Sequence, residues 1–184
     1  MPNKNGLHLI TPTSIASTGS GNSSSISANG SVIFSSCATL SLNGVFSADY
    51  DNYMIVVRFT NASATTTTQF RWRASGTDNS TASSYVTQEL TADSTTITGG
   101  RYTAALGYFG TAYATQRSGL VMNVYGPYLA QPTASRSVTV GDSSSAYLYD
   151  AAHTHNQSTA YDGMTILLSA GSISGLLGVY GMRK

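Results

Sequence analysis

His153-Thr154-His155 is the one compact group in this 184-residue sequence with the character of a metal site. Two imidazoles at positions i and i+2 of a strand share a face and can hold one ion between them. A third ligand then has to arrive through folding, from Asp150, Asp162 or His8, or through a symmetry axis that gathers imidazoles from several copies. The plainer expectation is that His153 and His155 lie in a polar loop after Asp150-Ala151-Ala152. Acid–base chemistry has less to work with. Glycoside hydrolysis needs two carboxylates held about 5 to 9 Å apart. Glu89 is expected on the outward face of its strand, with Asp93 four residues on. Asp49 and Asp51 flank Tyr50, and Asp78, Asp142 and Asp162 stand beside Gly, Ser or Asn, as turn residues do. A G-x-S-x-G elbow is absent, and Gly19-Ser20-Gly21 lacks what a nucleotide site needs after it. Neither a catalytic residue nor a cofactor is assigned.

Tyrosine is the stronger signal, with twelve Tyr against five Phe and one Trp. Eight of the nine in the second half, Tyr102, Tyr108, Tyr113, Tyr125, Tyr128, Tyr147, Tyr149 and Tyr161, fall mostly in or beside Gly/Ser/Thr-rich segments. Tyr offers a large contact area at low entropic cost and stacks on a partner chain or a sugar ring. Tyr125, Tyr128, Tyr147 and Tyr149 are therefore candidate ligand or subunit contacts. Arg71 and Arg73 flank Trp72, and with Arg58 they have the residue types that stack nucleic-acid bases. Alternation sends Trp72 inward beside Phe70 and turns the two Arg outward, so a surface or intersubunit contact is expected of them. Nine basic and eight acidic side chains, net +1, leave no stripe for a polyanion. Cys37 is the single cysteine, which excludes an intrachain disulfide and a Cys-based metal cluster; it is expected in the core near Phe34.

Strands have to position all of these groups. Charged residues make up 9% of the chain, and Glu occurs once and Lys twice, so helix formers are scarce. Fifty-two residues are Ser or Thr, and period-two segments recur throughout. The best is Tyr53–Thr60, apolar on both faces and hence central, with Arg58 near an edge or interface. Asn29-Gly30 and Asn43-Gly44 each sit between alternating segments and predict hairpins. Further strands are expected at 69–73, 85–90 with Val86 and Leu90 inward, 105–109, 119–125, 135–140, 146–149, 164–169 and 174–180. Their spacing and turn signals predict an all-β, antiparallel β-sandwich of jelly-roll type with about ten strands. Residues 1–22 read as an N-terminal arm and Ser/Gly-rich linker that packs on another chain, and 23–184 as the sandwich domain. No apolar run reaches the length of a membrane helix, and the first residues lack the apolar core of a secretory leader, so neither is expected.

Several stretches, in order, resemble one family. They are Gly6-Leu7-His8-Leu9-Ile10-Thr11-Pro12-Thr13-Ser14, Ile26-Ser27-Ala28-Asn29-Gly30-Ser31-Val32 and Leu40-Ser41-Leu42-Asn43-Gly44-Val45-Phe46-Ser47. Tyr50-Asp51-Asn52-Tyr53, Arg71-Trp72-Arg73-Ala74-Ser75-Gly76-Thr77-Asp78 and Tyr125-Gly126-Pro127 follow, and Asp162-Gly163-Met164-Thr165 and Val179-Tyr180-Gly181-Met182-Arg183-Lys184 close the chain. The whole resembles virion proteins of tailed bacteriophages, the minor tail or tail-fibre-associated domains. The resemblance implies a non-enzymatic β-sandwich of the phage particle, folded in the host cytoplasm, in a trimer or other symmetric oligomer with further virion proteins. It leaves open a tail role in assembly or attachment, a capsid decoration role, and recognition of a host surface glycan through Tyr. Nucleic acid and membrane insertion have no part in it, and it carries no site residue over.

Overall fold

The computed structural model describes residues 6–114, 116–142 and 146–182, and these form sixteen strands and no helix. The first eight are β1 (Leu7–Ile10), β2 (Ser14–Thr18), β3 (Ser23–Ile26), β4 (Val32–Cys37), β5 (Thr39–Asn43), β6 (Asn52–Ala62), β7 (Thr66–Ala74) and β8 (Thr77–Asp78). There follow β9 (Tyr85–Asp93), β10 (Thr96–Ala104), β11 (Gly107–Ala112), β12 (Ser118–Tyr125), β13 (Thr133–Asp142), β14 (Ala146–His155), β15 (Gly163–Leu168) and β16 (Ile173–Met182). All pairings are antiparallel, in a ten-stranded and a six-stranded sheet that enclose one main core.

Eight strands form a nested set. β4 pairs with β16, β5 with β15, β6 with β12 and β7 with β11, first with last and so on inward. The sheet orders β12-β6-β16-β4 and β11-β7-β15-β5 follow from it, which is the winding of a jelly roll. The expected antiparallel sandwich is therefore present, with sixteen strands where about ten are legible. The additional ones are very short, such as β8, or glycine-containing like β10, and carry little apolar alternation.

β6 is central, as its two apolar faces require. Tyr53, Ile55, Val57 and Phe59 are buried in the core, and Arg58 is exposed on the opposite face. Trp72 lies at the heart of the core, with ring centroids 4.9 Å from Phe70 and 5.9 Å from Phe46. Edge-on aromatic pairs of this kind contribute about 1 kcal/mol each beyond the area they bury. Cys37 is buried in the same core.

Beyond β12 the large sheet continues through β13, β14, β9 and β10. This extension is built from two excursions, β9–β10 between β7 and β11, and β13–β14 between β12 and β15. Thr139 donates to the Phe109 carbonyl of β11, and the Tyr108 amide donates to Thr87 at 3.4 Å, so β11 lies across the extension's inner face. Only part of that face is covered.

Four expectations are corrected. Asn43-Gly44 makes no hairpin: Val45 and Phe46 donate their amides to the Asp162 carbonyl and drop into the core, while β5 finds its partners in β15 and β2. Val86 and Leu90 do not point inward. The register with β14 sets Tyr85, Thr87 and Glu89 against His155, His153 and Ala151 on the inner face, leaving Leu90 61% exposed. The stretch through His155 is no loop but the second half of β14, held between β13 and β9. Residues 7–18, expected as an arm on another chain, add β1 to β16 and β2 to β5 of their own sheets. The Asn29-Gly30 hairpin is present, with Ile26 paired to Val32 and Gly30 at φ +93° in the turn.

Candidate functional site

Where β11 stops covering the extension, its inner face opens into a cleft of about 260 Å³. Its wall on the sheet side comes from Glu89 and Thr91 of β9, Tyr102 of β10, and Tyr147 and Tyr149 of β14. Tyr108, Gly110 and Thr111 of β11 and Thr67 of β7 form the other side. Period two makes this possible: Tyr147, Tyr149 and Ala151 are successive inward positions of β14 and form a small apolar cluster apart from the main core, with Tyr108 and Tyr113 packed on it. The volume lies just below the range of drug-sized pockets, and so suits one ring-sized group.

The polar groups in the cleft converge on Glu89. Tyr102 donates its hydroxyl to Glu89 Oε1 at 3.0 Å and stands beside Tyr108, ring centroids 5.3 Å apart. The hydrogen bond and the negative charge of Glu89 both raise the Tyr102 pKa. Tyr102 is 44% exposed and sits at the mouth. Tyr149 is 4% exposed, and its hydroxyl has no hydrogen-bond partner in bonding geometry among the described residues. Burial first, and then the neighbouring Glu89 carboxylate, push its pKa up, so it stays a neutral phenol. Burial also raises Tyr147, against the opposing effect of its hydrogen bonding with Thr111. The cleft thus offers aromatic rings, one carboxylate and an unused hydroxyl.

Tyr147 and Tyr149 are brought together here from among the sequence candidates. Tyr125 and Tyr128 lie elsewhere, 46% and 39% exposed near the Gly126-Pro127 turn. Arg71 donates Nε to the Ala105 carbonyl at 3.1 Å. Arg73 is engaged within the chain: it pairs with Asp78 and donates to Asn43, Ser41, Thr165 and the Gly76 carbonyl. Sequence reasoning set Glu89 on the wrong face and passed over Gly110. Glu89 being the sole Glu, inside an alternating stretch, was the one signal available; Gly110 had none.

His153 and His155 share the inner face of β14, as the i, i+2 spacing requires, and both are buried. His153 Nδ1 is 3.2 Å from Thr87 Oγ1 and Nε2 is 2.9 Å from Ser137 Oγ, with the edge of Phe70 against its ring. His155 Nε2 lies 2.6 Å from the Tyr161 hydroxyl, and Tyr161 also accepts from Asn79 at 2.9 Å. Desolvation holds both imidazoles down at a pKa of about 4. Among the described residues no third His, Cys, Asp or Glu joins them as a metal-ligating group. A larger hollow of about 440 Å³ lies beside Tyr161, where Asp78 is engaged by Arg73 and Thr165, and Asn79 by the Thr81 amide and Tyr161.

No family model matches the chain, and no curated protein matches it. Among solved structures it is similar to the binding domain of botulinum neurotoxin serotype G, with a TM-score of 0.32 and 8% identity over all of this chain and 45% of that one. It is also similar to the CBM2 module of the evolved Dit of Lactobacillus casei BL23 phage J-1, with a TM-score of 0.29 and 10% identity over 92% of each chain. The chain spans less than half the length of the first. Likeness at this level carries no information about ligand or role.

Proposed function

We propose that this chain is a non-enzymatic recognition module of a bacteriophage particle, associated with the tail or its fibres, and that its cleft takes a sugar ring of a host surface glycan. The sequence resemblance supports the particle. The observation that carries the ligand class is the hydrogen bond of Tyr102 to Glu89 at the mouth of a cleft whose floor holds the buried Tyr149 ring and hydroxyl. A pyranose presents an apolar face of C–H groups and a rim of hydroxyls. Tyr rings stack on the first, and a carboxylate accepts from two adjacent hydroxyls of the second. Glu89 is the one carboxylate among the described lining residues, which suits binding better than hydrolysis by a carboxylate pair.

The test is calorimetric titration with bacterial surface polysaccharides and their component monosaccharides. Binding that falls at least tenfold in Glu89→Gln and in Tyr102→Ala supports the proposal. Absence of binding across the panel, or binding that ignores both changes, overturns it.

Capsid decoration is the second reading, favoured by the opposite face of the large sheet. Ile33, Val121, Val140 and Leu148 are 41–53% exposed there, an apolar surface suited to seating on another virion protein. Val140→Arg with Leu148→Arg would then abolish incorporation into heads while sugar binding persists.

A further inference from the structure

We infer that two copies of this chain join edge to edge through β10, pairing antiparallel about Gly100, so that two ten-stranded sheets become one. Among the described residues β10 pairs with β9 alone and ends the sheet. Edge strands are ordinarily protected by shortness, Lys, Pro or a bulge. β10 has nine residues, neither Lys nor Pro, and a register with β9 free of shifts. Its only charge is Arg101. Ile97, at 77%, is the most exposed large apolar side chain in the described chain.

The ladder fixes which backbone groups are free. Asp93 and Thr96 close a two-residue turn as a hydrogen-bonded pair, and alternate residues of a strand turn their amides and carbonyls to opposite sides. The even-numbered residues of β10 therefore face β9, consistent with the 3.0 Å bond from Gln88 Nε2 to the Gly100 carbonyl. Ile97, Gly99, Arg101 and Thr103 turn theirs to the open edge.

Symmetry then fixes the register. A two-fold axis normal to the sheet keeps inner residues opposite inner residues, so the two position numbers in each pair sum to an even number. The pairing that uses all nine residues places Gly100 opposite the partner's Gly100. It sets Ile97 against the partner's Thr103 and Gly99 against the partner's Arg101, which are the residues with free backbone groups. A shift that sets Arg101 against the partner's Arg101 opposes like charges. Gly99 is the independent sign. A Cβ there would meet its own chain only at 3.4 Å and 3.6 Å, ordinary contacts, and its φ is not positive, so nothing within the chain demands glycine. Glycine inside a strand marks close approach of another backbone, and here it leaves room for the partner's Arg101.

Because the axis is normal to the sheet, both clefts open on the same side. Glu89 and the partner's Glu89 stand three strand spacings apart, about 14 Å. Tyr102 lies at the seam, opposite the partner's Thr98. Together the clefts form one groove fit for several consecutive sugars. The joining is independent of the cleft's ligand; the shared groove rests on the sugar proposal above.

Sedimentation equilibrium of the full chain without sugar tests the joining. The expected species is a dimer of the 19.2 kDa chain. Gly99→Lys, which sets a second cation across from the partner's Arg101, is expected to weaken dimerisation at least tenfold. Arg101→Gly in the Gly99→Lys chain, which empties the facing position across the seam, is expected to restore it, which a merely misfolded variant cannot do. Amides of Ile97, Gly99, Arg101 and Thr103 should exchange more slowly as concentration rises. A monomer at all concentrations, or an oligomer that Gly99→Lys does not weaken, overturns the joining. The groove is tested by Gly99→Lys losing affinity for polysaccharide but not for monosaccharide; equal retention of both overturns it. If neither sugar binds while the dimer forms, the sugar proposal fails and the joining stands.

Discussion

Gly110 and Tyr149 face each other so closely that a Cβ on Gly110 would lie 2.8 Å from Tyr149 Cγ. Gly110 follows the bulge in β11 at φ +98°, a conformation that L side chains rarely adopt. Its carbonyl accepts from Thr68 at 2.9 Å, which holds the bulge. Backbone strain and overpacking therefore act together in Gly110→Ala, for a loss of roughly 2 to 5 kcal/mol. Urea unfolding followed by the fluorescence of the single, buried Trp72 measures it. A loss below 1 kcal/mol would mean that β11 shifts freely and that the cleft is not rigid.

Tyr149 separates stability from binding. Its hydroxyl is desolvated with no partner in bonding geometry, and such a group costs about 1 to 3 kcal/mol. Tyr149→Phe keeps the ring and removes the cost, so the free protein gains about 1 kcal/mol. If a sugar hydroxyl is what the phenol awaits, affinity falls roughly five- to tenfold, the worth of about one hydrogen bond. A more stable variant with unchanged sugar affinity would detach Tyr149 from recognition.

The jelly roll was legible because its strands alternate against a core on one side. β6, β12, β15 and β16 each announce their inward face by Ile, Leu, Val, Met or aromatic residues. The extension was not legible in the same way. β9 offers Val86 and Leu90 on one face and Tyr85, Thr87 and Glu89 on the other, and its own pattern gives the face to Val and Leu. The register with β14 reverses this, since the buried neighbours of β9 are His155, His153 and Ala151. Polar residues line that inner face because they meet one another: Thr87 and Ser137 flank His153, and Thr139 supports β11. A buried surface made of Ser, Thr and His carries no hydrophobic period. The cleft sits on this surface, so its four tyrosines could be named from sequence, two of them as contacts, but its glutamate could not be placed.

The two ion pairs should behave oppositely. Arg73 and Asp78 have side chains only 12% and 23% exposed, and Arg73 also serves Asn43, Ser41 and Thr165. Arg73→Ala leaves Asp78 and these groups without their donor, for a loss of about 3 kcal/mol or more. Lysine cannot reproduce the planar fork, so Arg73→Lys restores little. Arg136 pairs with Asp150 on the outer face with its side chain 61% exposed, and Arg136→Ala should cost less than about 1 kcal/mol. Paired urea titrations decide it. Equal losses at the two sites would mean that the Arg73 network adds nothing beyond a surface contact.

His153 makes stability depend on pH in a definite window. Its pKa is lowered by burial from about 6.5 to about 4, so the unfolded chain binds the proton first as pH falls. The stabilisation from burying a neutral imidazole is complete above pH 6.5 and is lost progressively down to about pH 4, where the folded form protonates as well. Between pH 7 and 4.5 this amounts to roughly 2 to 3 kcal/mol. Carboxylates add little in that window, since their ordinary titration lies mostly below it. His155 is held down in the same way, but it titrates in wild type and in a His153 variant alike, and so cancels between them. His153→Phe loses stability at pH 7, because Ser137 and Thr87 lose their partner, yet its stability should fall less steeply with pH than wild type. Identical slopes in the two proteins would show that the imidazole of His153 exchanges protons freely in the folded state and is not desolvated.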